Sequence, residues 1–361
     1  MGKNLVLCLD GTSNKYDKAN TNVVRLCAML QKSSPQQLVY YEPGIGTIVP
    51  VGIYGRIPQW VVTRLDLAFA FLLGGQVQRA YRFLMNHYRA GDRIYMFGFS
   101  RGAYTARVLA GMLYKVGLAE PGNEELVPFA WKMYVRGHSD DDRAIVDGFR
   151  HTYCSRPPIE MLGLWDTVNS VRWTMKAVHL DYTKMNPSVH IVRHAIAIDE
   201  RRAYFRQNLW DKIPASGQDV VQVWFPGTHC DVGGGHPEAE AGLSKVALAW
   251  MYAEAQIAGL VFNAEAVAHQ LPSQPLADTT VADPLATMHE SLSGLWWIPE
   301  FIPKRIADPA NNFQPRWTLP RGSRRYIGQD AEIHWSVVER ARDDSYRPPN
   351  LPPNLQVVPR S

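Results

Sequence analysis

Apolar and amphipathic segments alternate over about the first 260 residues of the chain. The short apolar segments are typical of buried strands, and they lie at residues 4–9, 37–41, 93–97, 159–165 and 220–225. Segments with apolar residues at helical spacing lie at 22–31, 74–88, 103–116 and 243–259. Segment 190–199 is largely apolar and fits either a helix or a strand. Strands that alternate with helices predict an α/β fold, with a mostly parallel sheet covered by helices on both faces.

Two regions interrupt this alternation. Residues 42–75 are rich in glycine and aromatic residues, and residues 119–158 contain prolines and three consecutive aspartates. We expect both to be insertions above the sheet, in the position where caps and lids are found. Beyond the alternating part, proline and tryptophan become frequent. We therefore expect a core over residues 1–265 and a C-terminal extension over residues 266–361 that packs on it.

Charge and cysteine content exclude several classes of protein. The chain of 361 residues has a formal net charge of +4 and no block of lysines and arginines, which argues against a nucleic-acid partner. Its four cysteines include no C-x-x-C pair, so a cysteine zinc cage is not expected. The first residues do not resemble a signal peptide, and no apolar segment reaches 18 residues. We expect a protein that is cytoplasmic as made.

The segment Gly98-Phe99-Ser100-Arg101-Gly102 matches the pattern G-x-S-x-G. A predicted strand ends at this segment and a predicted helix follows it, which is the context of a nucleophile elbow. There the serine hydroxyl stands out from a sharp turn, and the glycines at 98 and 102 permit the tight backbone. The N-terminus of the following helix would stabilise a developing oxyanion. The pattern predicts that Ser100 is a nucleophile.

A serine nucleophile needs a histidine base and a carboxylate that orients it, in the chain order Ser, Asp or Glu, His. Asp166 directly follows the strand at 159–165, and His229 follows the strand at 220–225. The sequence PGTHCDVGGG around His229 predicts a flexible loop at the end of that strand. We select Asp166 and His229, with His236 and His194 as alternatives for the base.

Supporting groups are predicted from the loops around the elbow. The oxyanion hole is expected to use the N–H of Arg101 and the N–H of Gly11 or Thr12, which follow the strand at 4–9. Asp10 and Asp231 are candidates for support behind the nucleophile and base. A metal-dependent hydrolase with Asp10, His229 and Asp231 as ligands is a rival hypothesis. Otherwise we expect no cofactor and no metal.

Several motifs together carry a resemblance to a known family. They are LDGTSN at 9–14, PGIGT at 43–47, GFSRGAYTARVLAG at 98–111, GLWDTV at 163–168, AIDERR at 197–202, WFPGTHCDVGGG at 224–235, WWIPEFIPKR at 296–305 and YRPPNLP at 346–352. With them the chain resembles the first class of type VI secretion phospholipase effectors, whose catalytic domain was formerly of unknown function. The resemblance implies an α/β-hydrolase fold and a triad of Ser100, Asp166 and His229. It also implies phospholipase A activity on glycerophospholipids and export by a type VI secretion system.

The sequence thus favours a serine esterase that cleaves acyl esters through an acyl-enzyme, with glycerophospholipids as the expected substrates. A small-ester or thioester hydrolase without membrane activity is an alternative, and so is a catalytically silent binding protein on a hydrolase scaffold. For apolar segment 295–302, with Trp296, Trp297 and Phe301, two interpretations are open: packing in the core, or peripheral contact with a lipid surface. Lys304 and Arg305 would then face the head groups. The sequence carries no signal for an oligomeric state.

Overall fold

The central element of the fold is one eight-stranded sheet. It is seen in a computed structural model, which describes residues 2–11, 19–32, 34–44, 59–136, 139–168, 180–211, 217–307, 314–342 and 345–360. From edge to edge its strands are β2 (Gln37–Glu42), β1 (Asn4–Leu9), β3 (Arg93–Phe99), β6 (Ile159–Trp165), β7 (Val189–Ala197), β8 (Asp219–Phe225), β11 (Glu332–His334) and β12 (Gln356–Val358). Two antiparallel pairs lie outside it, β4 (Leu118–Ala119) with β5 (Cys154–Ser155) and β9 (Lys304–Ala307) with β10 (Pro315–Thr318).

All neighbouring strands of the central sheet run parallel. This confirms the predicted α/β class and its parallel sheet. The ambiguous segment 190–199 forms most of β7, because it is paired on both sides, with β6 and with β8. Its side chains alternate accordingly: Ala195 and Ala197 face one apolar cluster, and Ile196 and Ile198 face another. The carboxyl ends of these strands therefore share one edge of the sheet, where sites of this fold class lie.

Helices cover both faces of the sheet, as predicted. They are α1 (Asn22–Met29), α2 (Gln59–His87), α3 (Arg101–Lys115), α4 (Val127–Arg136), α5 (Asp140–Tyr153), α6 (His229–Gly233), α7 (Gly242–Ile257), α8 (Ala264–Gln270) and α9 (Trp335–Arg340). Strand β1 shows the two layers. Leu5 and Leu7 pack in one cluster with residues of α2 and α3, whereas Val6 and Cys8 pack in a second cluster with residues of α1 and α7.

The structure corrects one predicted helix boundary. The helix expected at 74–88 begins at Gln59, so residues 59–75 of the expected insertion at 42–75 are helical. Gly74 does not start the helix but allows close packing, since a Cβ there would lie 3.0 Å from the Trp131 ring of α4. Residues 45–58 lie outside the described residues. The second expected insertion, 119–158, contains α4 and α5, and its role as a cap stays a prediction.

The C-terminal segment contributes to the sheet itself. Strand β11 pairs with β8 and with β12, so residues after 265 supply two of the eight strands. Ile333 and Tyr346 pack with Trp224 of β8 in a third apolar cluster. The segment after residue 265 therefore forms part of the central sheet in addition to packing on it.

No helix within the described ranges combines the length and apolar character needed to span a bilayer.

Candidate active site

Ser100 stands at a strained turn between β3 and α3. Its φ of 58° and ψ of −119° lie in a region that non-glycine residues rarely occupy. The flanking glycines are required by space. A Cβ on Gly98 would lie 2.6 Å from the Ala103 nitrogen, and a Cβ on Gly102 would lie 2.1 Å from the Leu9 carbonyl oxygen. The elbow therefore packs against the carboxyl end of β1.

His229 approaches the serine from the end of β8. Its Nε2 lies 2.8 Å from Ser100 Oγ, and both residues are buried. The prediction of a flexible loop is wrong, because His229 begins the short helix α6. Thr228 and Asp231 form a capping box at the N-terminus of this helix. The rings of Phe99 and Phe205 lie with centroids 4.6 and 4.9 Å from the imidazole centroid. These contacts fix the ring in place more firmly than a glycine-rich loop would.

Asp166 completes this line of side chains at the end of β6. Its Oδ2 lies 2.5 Å from His229 Nδ1, and its Oδ1 accepts a hydrogen bond of 3.0 Å from the Ala197 amide. Its own amide donates to the Ala195 carbonyl at 2.7 Å, and its φ is 38°. The structure thus brings together the three side chains that sequence order selected, one from each of three strand ends. His194, an alternative for the base, is buried, with Nε2 3.2 Å from the Thr167 amide.

Arg325 is the partner of this group that the sequence did not indicate. Its Nη1 lies 2.6 Å from Asp166 Oδ1 and its Nη2 lies 2.9 Å from Oδ2, so the pair is bidentate. It also donates to the Ala197 carbonyl at 2.9 Å and to the Phe205 carbonyl, and it is fully buried. The sequence GSRRY at 322–326 does not indicate which of Arg324 and Arg325 contacts Asp166. The burial of Arg325 in the folded chain distinguishes it from its neighbour.

The electrostatics of the group follow from burial and these contacts. Burial alone would raise the pKa of Asp166, but the Arg325 guanidinium and the hydrogen bond from His229 outweigh it and hold that pKa well below its usual range. Burial lowers the pKa of His229, although the Asp166 carboxylate partly opposes this. At neutral pH the arrangement therefore pairs an ionised carboxylate with a neutral imidazole, which is the state that a general base requires.

Comparison with known proteins decides the family. Residues 3–254 match the Tle1-like catalytic domain of type VI secretion system phospholipase effectors. The chain belongs to this family. It is 36% identical over 245 residues to the uncharacterised protein YEL023C of Saccharomyces cerevisiae, an alignment that covers 64% of this chain and 35% of the yeast protein. The chain therefore spans about a third of the length of that relative.

Two solved structures also resemble the chain. One is an uncharacterised protein from Pseudomonas aeruginosa, with a TM-score of 0.42 and 21% identity over 73% of this chain and 46% of that one. The other is the Tle1 effector bound to the VgrG spike of the type VI secretion system, with a TM-score of 0.37 and 19% identity over 67% of this chain and 52% of that one. The match to the Tle1-like family confirms the resemblance drawn from the sequence motifs.

A second charged pair lies beside the base in this Tle1-like domain. Glu200 accepts two hydrogen bonds from the Arg202 side chain, at 2.9 and 2.8 Å, and its Oε2 lies 3.3 Å from the His229 amide. The guanidinium of Arg202 lies 3.7 Å above the Phe205 ring and 4.9 Å from the Trp296 ring. Both residues belong to the AIDERR motif, which indicated family but no role for them.

The predicted oxyanion donors are placed as follows. Arg101 is the first residue of α3, directly after the nucleophile. Gly11 lies beyond β1, and its N–H donates to Asp10 Oδ1 at 2.7 Å. Asp10 is buried and also accepts from Thr21 Oγ1 at 2.8 Å. Thr12 lies outside the described residues.

The rival metal set is not brought together. Within the described residues, the group around Asp231 that could hold a metal ion consists of Asp231, His236 and His289. Neither Asp10 nor His229 belongs to it. His236, the nearest alternative for the base, therefore lies beside Asp231, whereas His229 reaches Ser100.

The predicted lipid-contacting segment lies next to the base. Trp296 packs edge-on against Phe205 with centroids 5.6 Å apart, and Phe205 in turn contacts His229. Trp297 stacks on Phe301 at 6.3 Å, and both tryptophans are half-buried. Lys304 does not face outward as expected, because its Nζ is buried 3.3 Å above the Tyr204 ring, and burial lowers its pKa to about 8. The side chain of Arg305 lies outside the described part of the chain.

Proposed function

We propose that this domain is a serine carboxylic-ester hydrolase that acts on glycerophospholipids as a phospholipase A. The observation that carries the proposal is the continuous line from Ser100 Oγ to His229 Nε2, at 2.8 Å, and from His229 Nδ1 to Asp166 Oδ2, at 2.5 Å. Membership of the Tle1-like family supports the phospholipid class of substrate. The same line supports any acyl ester, so the experiment below separates the substrate classes.

In the proposed mechanism His229 takes the proton of Ser100 as its oxygen attacks the ester carbonyl carbon. Asp166 holds the imidazole in the tautomer that presents Nε2 and stabilises the imidazolium that forms. The tetrahedral intermediate collapses when the ester C–O bond breaks, and His229 returns the proton to the leaving alcohol, here a lysophospholipid. Water then attacks the acyl-enzyme with His229 again as base, which releases the fatty acid and restores Ser100.

The oxyanion is proposed to bind the N–H of Arg101 and the N–H of Gly11. Arg101 is the residue after the nucleophile, which supplies one donor in hydrolases of this kind. The Gly102–Leu9 contact keeps the end of β1 against the elbow and supports Gly11 as the second donor. The Gly11 N–H donates a hydrogen bond to a carboxylate oxygen of Asp10. In the reaction this N–H would leave the carboxylate and donate to the oxyanion instead.

Lipid contact is proposed for an apolar ridge, which we define as Leu295, Phe301 and Ile302. Their side chains are 47%, 61% and 41% exposed. They belong to the same segment as the half-buried Trp296, whose contact with Phe205 leads to His229. A ridge of this kind would dip into the acyl boundary of a membrane and bring the ester bond near Ser100.

Export by a type VI secretion system is part of the same hypothesis. Comparing secretion between a wild-type strain and a strain that lacks the secretion apparatus tests it, and loss of secretion in the second strain is the expected result.

The proposal is tested with Ser100→Ala and a fluorophosphonate probe, and Ser293→Ala serves as the matched control because it changes an exposed serine. Wild type and control should be labelled and should release fatty acid from phosphatidylcholine vesicles, whereas Ser100→Ala should do neither while its circular dichroism spectrum is unchanged. Hydrolysis of p-nitrophenyl esters alone would favour the small-ester hydrolase. Absence of labelling in the wild type would favour a silent scaffold.

A further inference from the structure

A second cluster of chemically competent side chains lies beside α6. Asp231, His236 and His289 bring one carboxylate and two imidazoles together, with one ligand atom from each within 4.8 Å of the others. Asp231 Oδ1 lies 2.6 Å from His289 Nδ1 and 3.8 Å from His236 Nε2. The two imidazole rings are stacked, with centroids 3.6 Å apart and an angle of 14° between their planes. The triad of the proposed function uses none of these three residues.

The carboxylate of Asp231 is oriented before any ligand binds. Its Oδ2 accepts from the amide and the hydroxyl of Thr228, both at 2.9 Å, and from the His289 amide at 3.2 Å. Three donors on one oxygen fix the plane of the carboxylate. The other oxygen, Oδ1, is thereby directed to the two imidazoles, and Asp231 itself is buried.

The two histidines show the features of metal ligands. His289 Nε2 lies 3.1 Å from Glu240 Oε2, and histidines that bind a metal through one nitrogen commonly donate the other N–H to a carboxylate. The Nε2 atom of His236 is buried and has no hydrogen-bond partner within the described residues. At 3.8 Å from Asp231 Oδ1 it is too distant for a hydrogen bond. A buried ring nitrogen and a carboxylate oxygen at this separation can both bind one cation.

We propose that Asp231 Oδ1, His236 Nε2 and His289 Nδ1 bind one divalent transition-metal ion of the Zn²⁺ type. Two imidazoles and one carboxylate suit such an ion better than Mg²⁺ or Ca²⁺, which prefer oxygen ligands. Bonds of about 2.0–2.2 Å place tetrahedral donors about 3.3–3.5 Å apart. The observed separations of 2.6 and 3.8 Å lie on either side of that value. Because a metal ion lies in the plane of each imidazole that binds it, the two stacked rings must also turn relative to one another to form the site.

The ion would connect the segment that carries the base to the C-terminal part of the chain. Asp231 lies on the same short helix as His229, whereas His289 lies in the segment after α8. Through Asp231, metal binding would hold α6 in place, and α6 also carries His229. The three metal ligands would then be residues that position His229. The ion touches no reacting atom of the triad, and the proposal does not depend on ester hydrolysis.

The experiment uses the full chain, stripped with a chelator and then titrated with Zn²⁺ by calorimetry and by thermal unfolding. We expect one Zn²⁺ per chain and a raised Tm, and no comparable shift with Mg²⁺ or Ca²⁺. His236→Gln and His289→Gln each remove a direct ligand, so each should weaken Zn²⁺ binding by more than the about 10–100-fold that follows from losing a ligand's hydrogen-bond partner. His269→Gln is the matched control, because His269 is exposed and paired with Asp278 at 3.3 Å outside this cluster, and it should bind Zn²⁺ as the wild type does.

Two results would overturn the proposal. One is a wild type that takes up no Zn²⁺ at micromolar concentrations, in which case the cluster is a hydrogen-bonded network only. The other is unchanged Zn²⁺ affinity in both histidine variants, which would assign binding to another place on the chain. Ser100→Ala separates this proposal from the proposed function: it should bind Zn²⁺ with wild-type affinity even though ester hydrolysis is lost.

Discussion

Arg325 holds Asp166 in a bidentate ion pair that is fully buried. One nitrogen of the guanidinium lies 2.6 Å from Oδ1 and the other lies 2.9 Å from Oδ2. The same carboxylate accepts the hydrogen bond of His229. The orienting acid of the proposed triad therefore carries a fixed counter-charge, supplied by a residue 159 positions later in the chain. That counter-charge reduces the field that Asp166 exerts on the imidazole.

Replacing this counter-charge should change both stability and the pH dependence of hydrolysis. Arg325→Gln leaves the buried Asp166 carboxylate without its ionic partner, which costs about 3–5 kcal/mol in comparable buried pairs. The uncompensated carboxylate should also stabilise the imidazolium, so the pKa of His229 should rise. We expect a lower urea midpoint and an acid limb of kcat/KM displaced to higher pH.

Arg324→Gln is the control for that variant. Arg324 is about a third exposed, and its Nη1 lies 3.4 Å from Asp199 Oδ1. A partly exposed pair of this kind is worth about 1 kcal/mol or less. If Arg325→Gln unfolded at the same urea concentration as Arg324→Gln and kept the wild-type pH profile, the role given to Arg325 would be wrong.

The pH dependence of hydrolysis by the wild type follows from the direction of the pKa shift of His229. Because burial lowers the pKa of His229, the base should stay neutral below the ordinary histidine value of about 6.5. The acid limb of kcat/KM should therefore have its midpoint below pH 6.5. A midpoint at or above 7, measured with a small soluble ester, would contradict the assignment of His229 as base.

Stability should fall in acid for a related reason. The folded pKa of Asp166 is depressed, so the unfolded chain binds a proton near pH 4 that the folded chain refuses. This contribution is fully present above about pH 5 and is lost as pH falls toward the folded pKa. Urea titrations between pH 7 and pH 3 should show a decreasing free energy of unfolding. A flat profile over that range would count against an ionised, paired Asp166.

Gly102→Ala tests the steric basis of the elbow. An added Cβ would lie 2.1 Å from the Leu9 carbonyl oxygen, so either α3 or β1 must shift. A displacement of about 1 Å at a nucleophile costs about 100-fold in rate, and we expect a loss of at least that size in kcat. Gly148→Ala is the control, because no atom lies within 4 Å of its added Cβ. It should retain full activity and gain up to about 1 kcal/mol of stability. Equal kcat values for the two variants would contradict the packing argument.

Phe301→Ser with Ile302→Ser tests the apolar ridge. Each lost side chain removes about 1.5–3 kcal/mol of burial energy if it enters lipid, so vesicle binding by flotation should fall at least tenfold. Hydrolysis of a small soluble ester should be unchanged, since these side chains are exposed. Phe129→Ser is the control, because that ring is 58% exposed and belongs to a different element, α4. If the control weakened vesicle binding as much, the ridge would have no special role.

The elements that depend on local pattern could be predicted from the amino-acid sequence. The apolar run of β1, the turn at Ser100 and the positions of Asp166 and His229 at the ends of two later strands could be predicted, because parallel strands present their carboxyl ends at one edge. Family membership was readable from the ordered motifs. The ambiguous segment that became β7 was not readable, because its sheet pairing rather than its periodicity decided its form.

The contacts that distant residues make with these elements could not be predicted and are known from the folded chain. Arg325 lies 159 residues from Asp166, and His289 lies 58 residues from Asp231, with no spacing rule to connect either pair. The positive charge of Arg325 could as well have been a solvated surface residue. Burial made it a partner, since a buried charge without compensating contacts is costly. Long-range pairing of charges is set by how the chain packs, and local sequence does not contain that information.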